Sequence, residues 1–308
     1  MNKPEEITSR TAFLAIVGRP NVGKSSLLNA LLGVKLAIVS PKPQTTRTRI
    51  MGVLTEGADQ LVFLDTPGLH KAHSRLDDYM EKSIVSSVSG VDACILVTEA
   101  GAEIRPAERE LIRRFRAQRL PAVLVINKID ALAQKEKIAA QIQAYMQEYD
   151  FTAVVPLSAL KNDGTDELKQ ELLRLAEPGD HFFGDDELTD MPEKTLAAEI
   201  IREKILRLLD HEIPHGTAVA VERMTERADG SCTDISATIY CERESHKGIL
   251  IGRQGSMLKR IGMLARQDME AFFQCRINLQ LWVKVKEDWR NRDALLRSFG
   301  YDKNSFEE

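Results

Sequence analysis

The chain has 308 residues, enough for two domains, and its 43% hydrophobic content is sufficient for a core in each. Its formal net charge of −4 argues against capture of nucleic acid by the whole protein, so any such site must be a local basic patch. No apolar run approaches the roughly 18–20 residues that span a bilayer, and residues 1–10 have the pattern of neither a signal peptide nor a transit peptide.

The cysteines are few and widely spaced. They form no C-x-x-C pair, and no histidine pairing supports a zinc site. We therefore interpret them as reduced residues in a reducing compartment rather than as metal ligands or disulfide partners. They are Cys94, Cys232, Cys241 and Cys275.

The first predicted elements are a buried strand over residues 11–17 and a helix over residues 26–32. The loop between them has the Walker A pattern G-x-x-x-x-G-K-[S/T]. Glycines let backbone N–H groups point at phosphate oxygens, and the helix adds its positive end. Lys24 is expected to reach the β- and γ-phosphates, and Ser25 to ligate Mg²⁺. The predicted nucleotide contacts are Gly18, Arg19, Pro20, Asn21, Val22, Gly23, Lys24, Ser25 and Ser26.

Two switch segments are predicted next. In the Thr-rich stretch 43–48, one threonine is expected to close onto Mg²⁺; Thr46 is favoured, with Thr45 as the alternative. A strand over residues 49–55 is predicted to pair antiparallel at the sheet edge, and another over 60–64 leads into Asp65-Thr66-Pro67-Gly68. Asp65 is expected to hold Mg²⁺ through water, and the Gly68 N–H to meet the γ-phosphate. The second switch would run from Gly68 to about Tyr79.

The residues that drive hydrolysis are less clearly marked. Ras-like enzymes orient the attacking water with a Gln after the D-x-x-G motif, and Leu69 stands there. His70 acting through water is one alternative, and K⁺ bound with help from Asn21 is another. We expect slow, K⁺-stimulated hydrolysis with Lys24, Thr46, Asp65, Gly68 and Asn21 as the catalytic set.

A guanine-reading motif follows the strands predicted over residues 93–98 and 122–126. In Asn127-Lys128-Ile129-Asp130, the Asp130 carboxylate can accept both N1–H and N2–H₂ of guanine, and adenine lacks that pair. Asn127 would contact the other base edge and tie its loop to the phosphate loop, while Lys128 covers the ring. After a strand over 153–157, Ser158-Ala159-Leu160 offers the Ala159 N–H to guanine O6. The four motifs, in this order, predict a GTPase that uses GTP/GDP and Mg²⁺.

The chain is predicted to contain a GTP-binding domain over residues 1–177, a linker over 178–193 and a second domain over 194–308. Turn residues and acids fill the linker. The second domain reads as a helix, strands over 218–225 and 233–240, a G-x-x-G loop, a helix over 256–272 and a strand over 277–286. The order α-β-β-α-α-β is that of a type II KH domain. The predicted fold class is thus an α/β P-loop GTPase domain, with a mostly parallel sheet between helices, plus an α+β KH domain.

Basic residues surround the G-x-x-G loop. Its glycines allow close approach of a nucleic-acid backbone, and the neighbouring charges favour RNA. Trp282 and Trp289 are interpreted as packing residues rather than as base-stacking ones. The predicted RNA contacts are Lys247, Gly252, Arg253, Gln254, Gly255, Lys259 and Arg260.

Several of these segments together resemble the bacterial Era GTPase family over nearly the whole chain. They are the Walker loop, Gln44-Thr45-Thr46-Arg47, Asp65-Thr66-Pro67-Gly68, the KH order and the segment 282–289. The resemblance implies a monomeric cytoplasmic factor for assembly of the small ribosomal subunit. Its KH domain would bind the 3′ end of small-subunit ribosomal RNA, with GTP favouring capture and hydrolysis permitting release. Peripheral association with the inner face of the plasma membrane is also implied.

Two other functions fit the same motifs. One is a nucleotide-gated RNA-binding scaffold in which hydrolysis is incidental, and Leu69 keeps it open. The other is a membrane-linked signalling GTPase whose KH fold binds protein. Acceleration of hydrolysis by RNA would favour the ribosome-assembly GTPase over the scaffold. Substitutions at Gly252 and Gly255 should impair the ribosome-assembly GTPase and leave a signalling GTPase intact.

Overall fold

The computed structural model describes residues 9–68, 74–132 and 136–301. The described residues form two compact units. The first takes residues 9–37, 46–68 and 80–190, and the second takes residues 38–45, 74–79 and 191–301. Each unit has its own sheet and its own core.

The first unit is built on one sheet with the spatial order β2-β3-β1-β4-β5-β6. Its strands are β1 (Arg10–Gly18), β2 (Ile50–Glu56), β3 (Asp59–Asp65), β4 (Ala93–Glu99), β5 (Ala122–Asn127), β6 (Ala153–Pro156) and β7 (Glu177–Pro178). All neighbours pair parallel except β2 with β3, and the short β7 with the start of β1. The predicted apolar runs therefore form the predicted mostly parallel sheet, with an antiparallel edge strand.

Helices pack on both faces of this sheet. They are α1 (Lys24–Leu32), α2 (Arg75–Val88, of which residues 80–88 belong to this unit), α3 (Pro106–Gln118), α4 (Glu136–Glu148) and α5 (Thr165–Leu173). Ala15 and Val17 of β1 belong to one core cluster with Phe115 of α3 and Tyr145 of α4. Successive strand residues point to opposite faces, so the buried Ala12, Leu14 and Ile16 serve the other face, where α1 contacts β1, β3 and α5. Strands buried on both faces explain the near-continuous apolar runs.

The segment after α5 runs along the edge of the first unit. Phe182 and Phe183 donate backbone N–H groups to Gln60 Oε1 at 2.9 and 3.1 Å, and Gln60 Nε2 donates to the Phe183 carbonyl at 3.0 Å. The Phe182 ring meets Phe13 edge-on, with centroids 4.9 Å apart. Gln60 is fully buried, so these bonds satisfy an amide that would otherwise be costly to enclose.

The second unit is a three-stranded mixed sheet with helices. Its main elements are α6 (Glu193–Leu208), β8 (Ala218–Glu226), β9 (Thr233–Cys241), α7 (Glu244–Ile251), α8 (Ser256–Phe273), β10 (Ile277–Val285) and α9 (Asp293–Ser298). β9 lies in the centre, antiparallel to β8 and parallel to β10. The order from α6 to β10 is the predicted α-β-β-α-α-β.

The core of the second unit lies between α6, α8 and the sheet. The apolar stripe of α6 is buried at Leu196, Ile200, Ile201 and Ile205, as its spacing predicts. Trp289 is fully buried and donates its indole N–H to the Gly216 carbonyl at 3.0 Å. Trp282 on β10 is 45% exposed, so the packing interpretation fits Trp289 and not Trp282.

None of the helices in the described ranges is both long enough and apolar enough to cross a membrane.

Candidate functional site

The predicted phosphate loop joins β1 to α1 and depends on two glycines. Gly18 and Gly23 have φ angles of 151° and 98°, which L side chains rarely adopt. A Cβ at Gly18 would lie 2.4 Å from the Val97 carbonyl oxygen, and one at Gly23 would lie 2.2 Å from Asn127 Nδ2. Both positions therefore require glycine, because the surrounding protein has no room for a side chain.

Lys24 begins α1 and folds back over the loop. Its ammonium donates to the carbonyls of Gly18 at 3.1 Å and Arg19 at 3.0 Å. Burial lowers the pKa of Lys24 to about 8, although the nearby Asp65 carboxylate opposes that shift. A buried ammonium bonded to neutral carbonyls is well placed to exchange them for anionic oxygens.

Three oxygen-bearing side chains meet beside the loop. Ser25 Oγ donates to Asp65 Oδ2 at 2.7 Å and lies 2.8 Å from Thr46 Oγ1. Asp65 Oδ1 is buried and accepts no hydrogen bond from any described residue. Burial raises the pKa of Asp65 to about 6, against the effects of Lys24 and Ser25. A carboxylate and two hydroxyls with an unsatisfied oxygen fit a hard cation such as Mg²⁺.

The other threonine considered for the first switch points elsewhere. Thr45 Oγ1 donates to the Lys42 carbonyl at 2.6 Å. Of the two candidates, Thr46 is thus the residue that lies with Ser25 and Asp65.

The D-x-x-G segment packs directly against the phosphate loop. Thr66 Oγ1 donates to the Ile16 carbonyl at 2.9 Å, and a Cβ at Gly68 would lie 2.6 Å from Pro20 Cα. Asn21 has a positive φ of 64° within the loop. Leu69 and His70 lie outside the described residues.

The predicted base-reading residues meet at the carboxyl ends of β5 and β6. Asn127 is buried; its Nδ2 donates to the Val22 carbonyl at 2.9 Å, and its Oδ1 accepts the N–H of Ala159 at 3.0 Å. Asp130 Oδ1 accepts the Ser158 hydroxyl at 2.5 Å. Asn127 thus joins the phosphate loop to the base-reading loops.

The remaining base-loop residues are open to solvent to different degrees. Lys128 has a positive φ of 67° and pairs with Glu99 at 3.3 Å. Leu160 is 80% exposed. Asp130 and Leu160 lie at the exposed end of the site, where a base can enter.

Sequence reasoning missed Glu108, which supports the phosphate loop from α3. Its side chain is fully buried; its Oε1 accepts Arg19 Nε at 3.0 Å and the Thr98 hydroxyl at 3.2 Å, and its Oε2 accepts the Arg105 N–H at 2.7 Å. In the sequence, the position of Glu108 in the first turn of α3 indicates a helix-capping role. Nothing local to it indicates the contact with the phosphate loop. The pair with Arg19 joins residues 89 positions apart.

The G-x-x-G loop of the second unit lies between α7 and α8. Gly252, Gln254 and Gly255 all have positive φ angles, of 73°, 51° and 77°. A Cβ at Gly252 would lie 2.8 Å from the Met257 backbone nitrogen, whereas no described heavy atom lies within 4 Å of one built at Gly255. The loop therefore presents open space at the N-terminal end of α8.

A groove of about 580 Å³ extends from this loop between α8 and β10. Its lining combines apolar side chains with two cations and one amide: Gly255, Leu258, Lys259, Gly262, Met263, Arg266, Asn278, Leu279 and Leu281. Gly255 and Lys259 belong to the predicted RNA set. Gly252, Arg253 and Gln254 form the loop, Arg260 is exposed on α8, and Lys247 on α7 pairs with Glu244 at 3.6 Å.

The apolar part of this groove could not be predicted from the sequence. Met263 is 48% exposed on α8, and a Cβ at Gly262 would lie 3.4 Å from a Leu281 methyl group. Gly262 on α8, which faces β10, is consistent with a groove, but a small residue at such a position is equally consistent with close packing of a helix on a strand.

Two family models match the chain. The model described as a 50S ribosome-binding GTPase matches residues 13–128, and the model described as a KH domain matches residues 212–290. Among curated relatives, the protein named GTPase Era of Clostridioides difficile is 48% identical over 95% of this chain and 99% of its own length. GTPase Era of Ruminiclostridium cellulolyticum is 47% identical over 96% and 98%.

Solved Era structures share the fold. One is Era in complex with MgGDPNP and nucleotides 1506–1542 of 16S ribosomal RNA, with a TM-score of 0.91, 37% identity and coverage of 96% of this chain and 99% of that one. Another is a variant of Aquifex aeolicus Era bound to GDP.AlF4-, also with a TM-score of 0.91 and 37% identity, covering 95% and 99%. With a GTPase model and a KH model in this order, and identity near one half over almost the full length, the chain belongs to the Era GTPase family.

Proposed function

We propose that this protein binds GTP with Mg²⁺ and hydrolyses it to GDP and phosphate. The observation that carries the proposal is the meeting of Ser25, Thr46 and Asp65 beside the phosphate loop, where one buried Asp65 oxygen accepts no hydrogen bond from the part of the chain that the structure describes. The two hydroxyls would hold Mg²⁺ directly and the carboxylate would hold it through water. The bound ion supplies positive charge against the phosphate oxygens.

The chain's own groups carry the rest of nucleotide binding. Lys24 exchanges the Gly18 and Arg19 carbonyls for β- and γ-phosphate oxygens, and those anions favour its charged form. The loop N–H groups and the start of α1 add partial positive charge. The Gly68 N–H meets the γ-phosphate, so the second switch senses whether that phosphate is present.

Asp130 gives the site its preference for guanine. Its carboxylate lies at the exposed end of the base site, where Ser158 donates to one oxygen. Guanine offers two adjacent donors to such a carboxylate, and adenine would leave it without them. Asn127 bonds both the phosphate loop and the Ala159 loop, and so positions the two loops for the contact between guanine and Asp130.

Hydrolysis is slow and is stimulated by K⁺ near Asn21. Asn21 lies in the phosphate loop with a positive φ, and Leu69 stands where Ras-like enzymes place a water-orienting Gln. A monovalent cation beside the phosphates would offset developing charge much as an arginine finger does. Turnover measured in matched K⁺ and Na⁺ buffers tests this role, and equal rates would refute it.

The second unit binds single-stranded RNA at the G-x-x-G loop and the adjoining groove. The groove joins apolar surface to Lys259 and Arg266, which suits bases together with phosphates. An Era relative crystallised with nucleotides 1506–1542 of 16S ribosomal RNA supports the 3′ end of small-subunit ribosomal RNA as the ligand here.

The resulting function is a switch in assembly of the small ribosomal subunit. GTP favours RNA capture and hydrolysis permits release, and the protein acts in the cytoplasm as a monomer. Association with the inner face of the plasma membrane stays a prediction from the family resemblance.

Two measurements test the RNA part of the proposal. Crosslinking of the protein to RNA in cells should give a peak at the 3′ end of small-subunit ribosomal RNA, lost when Gly252 and Gly255 are changed to Asp. A diffuse signal would contradict it. RNA carrying that 3′ end should also accelerate GTP hydrolysis; an unchanged rate would favour the scaffold with incidental hydrolysis.

A further inference from the structure

The outer face of α3 in the first unit carries a row of arginines. Residues 105–119 contain six arginines, two glutamates and no other charged residue, in a chain whose formal net charge is −4. Residues three and four positions apart lie on the same face of a helix, and the exposed arginines recur at that spacing. We call them the α3 arginine row: Arg105, Arg109, Arg113, Arg116 and Arg119.

The opposite face of α3 is apolar and holds the row toward solvent. Leu111, Ile112 and Phe115 are at most 1% exposed, and all three belong to the core cluster that α3 shares with β1 and α4. Because this buried face anchors the helix, the arginines cannot turn inward. A helix rises by about 1.5 Å per residue, so the row is about 20 Å long.

The row is only partly neutralised by neighbouring carboxylates. Glu148 of α4 accepts Arg109 Nε at 2.9 Å, and Glu110 pairs with Arg113 at 2.8 Å. The side chains of these two arginines are 50% and 68% exposed, and exposed ion pairs contribute little free energy. In the part of the chain that the structure describes, the arginines at the two ends of the row have no ion-pair partner. An array of anions can therefore replace these contacts at small cost.

The chemistry and shape of the row suit a phosphate backbone. An arginine guanidinium is planar, always charged and able to bind a phosphate with two parallel hydrogen bonds. A straight row of cations on an anchored helix is complementary to a stiff polyanion. Double-stranded nucleic acid is such a polyanion, with about one negative charge per 1.7 Å of helix axis in DNA.

Two other anionic partners fit the row less well. Sites for single-stranded RNA combine cations with aromatic side chains on which the bases stack. A helix that lies on a membrane places apolar side chains in the acyl boundary beside its cations. The aromatic residue of α3, Phe115, is buried with Leu111 and Ile112, so the row presents cations without a stacking or inserting side chain.

We propose that the α3 arginine row is a further RNA-binding surface, which contacts the phosphate backbone of double-stranded RNA without regard to base sequence. It is separate from the G-x-x-G groove, to which single-stranded RNA is assigned. The choice of RNA over DNA rests on the proposed function, in which the same chain binds ribosomal RNA. Contacts to phosphate add affinity that falls steeply with salt and carries no sequence preference.

A blunt-ended RNA duplex of about 20 base pairs tests the row, because it offers the G-x-x-G loop no single strand. The full chain is compared with the row variant, Arg113→Gln with Arg119→Gln. The control variant, Arg174→Gln with Lys169→Gln, removes two cations from α5, on the opposite face of the same sheet. The pair is well matched: Arg113 and Arg174 are 68% and 69% exposed, and each pairs with a glutamate three residues earlier.

We expect the row variant to bind the duplex about fivefold to tenfold more weakly at low salt. The plot of log affinity against log salt concentration should become shallower by about 1–2, since each lost phosphate contact reduces its slope by about 1. The control variant should keep the wild-type affinity and slope. Both variants should bind a GTP analogue as the wild type does, which shows that the first unit is folded.

Three results would overturn the proposal. They are wild-type protein that does not bind the duplex, an unchanged salt slope in the row variant, and equal losses of duplex affinity in the row and control variants. Vesicles of phosphatidylcholine and phosphatidylserine distinguish a membrane partner: row-dependent binding to them, without row-dependent binding to the duplex, would also overturn it.

A short single-stranded RNA tests the proposed function separately. Its affinity should fall in Gly255→Asp and stay at the wild-type value in the row variant, while duplex affinity should show the reverse pattern. Protein that binds the duplex through the row but binds no single-stranded RNA would contradict the proposed function and support the row. A loss of single-strand affinity in the row variant equal to its loss of duplex affinity would contradict a separate surface.

Discussion

Both candidate sites place a glycine with a positive φ immediately before a helix, but the space around the two glycines differs. Gly23 precedes α1 and Gly255 precedes α8, with φ angles of 98° and 77°. A Cβ at Gly23 would lie 2.2 Å from Asn127, whereas no described heavy atom lies within 4 Å of one at Gly255. At Gly23 a side chain would collide with the protein packed around it. At Gly255 there is room for a side chain, and only the positive φ angle favours glycine.

This difference explains why the two loops suit different ligands. The phosphate loop is packed against Val97, Asn127 and Gly68, so its N–H groups are fixed before a nucleotide arrives. Such preorganisation favours a compact, highly charged ligand of fixed geometry. The G-x-x-G loop opens onto a groove of about 580 Å³, which suits a flexible strand.

The largest expected effect comes from removing the charge inside the enclosed loop. Lys24→Ala should weaken GTP binding roughly 10²–10⁴-fold, because two charge-assisted bonds to phosphate are lost. RNA affinity measured without nucleotide should stay close to wild type. Lys169→Ala, which removes a partly exposed cation paired with Glu56 at 2.7 Å, is the matched control. GTP binding by Lys24→Ala at wild-type strength would contradict the phosphate-loop assignment.

At the exposed end of the enclosed site, Asp130→Asn should change the base preference. The amide offers a donor where the carboxylate accepted two, so GTP affinity should fall about 10²-fold and xanthosine triphosphate should bind better than to wild type. Competition binding with the two nucleotides measures the change. Asp166→Asn, an exposed acid in the first turn of α5, should leave the preference intact, and unchanged GTP affinity in Asp130→Asn would refute Asp130 as the base reader.

A pair of Gly→Asp variants sharpens the contrast at the open loop. Gly255→Asp and Gly230→Asp introduce the same side chain at similar φ angles of 77° and 65°, and neither Cβ would meet a close neighbour. Gly230 lies in the β8–β9 turn rather than at the groove. We expect Gly255→Asp alone to weaken RNA binding, by about tenfold or more, since one carboxylate repels the phosphate backbone.

Equal losses of RNA affinity in the two glycine variants would show that strain or net charge, rather than the loop, causes the effect. Both variants should keep wild-type GTP affinity, because the nucleotide site is formed by the first unit.

The smallest effect concerns pH at the enclosed site. Burial raises the pKa of Asp65 to about 6, and Mg²⁺ requires the carboxylate, so metal binding should release a proton near that pH. Mg²⁺ affinity should fall about tenfold per pH unit below pH 6. The pH dependence of folding is opposite to that of most carboxylates. Because the metal-free folded state binds this proton more tightly than the unfolded chain does, the free energy of unfolding increases as pH falls through about 6.

Titration calorimetry of Mg²⁺ in two buffers of different ionisation enthalpy measures this proton. Mg²⁺ affinity that is constant between about pH 5 and 7.5 would contradict the role of Asp65.

The element order and both glycine loops could be predicted because their signals are local. Strands buried on both faces give continuous apolar runs, and each loop follows such a run or precedes an amphipathic helix. The long-range contacts have no such signal. Glu108 meets Arg19 from 89 positions away, and the two-residue β7 pairs with β1 only because the chain returns there.

Burial of charge was the hardest feature to predict. The charges of Arg202, Glu203 and Lys204 interrupt the apolar stripe of α6 and would ordinarily indicate a solvated face, yet all three are buried. Only the partners, Glu199, Asp268 and the backbone of residues 39–45, make that burial acceptable. Trp282 is the opposite case, an aromatic residue in a strand whose side chain is 45% exposed.

The central claim is that the nucleotide controls RNA binding, and RNA affinity in two nucleotide states tests it most directly. The probe is a fluorescent RNA with the 3′ end of small-subunit ribosomal RNA, titrated with the full chain in the presence of Mg²⁺ and either a non-hydrolysable GTP analogue or GDP. The account predicts tighter binding with the GTP analogue, and loss of that difference in Lys24→Ala. Equal RNA affinity in the two nucleotide states would contradict it.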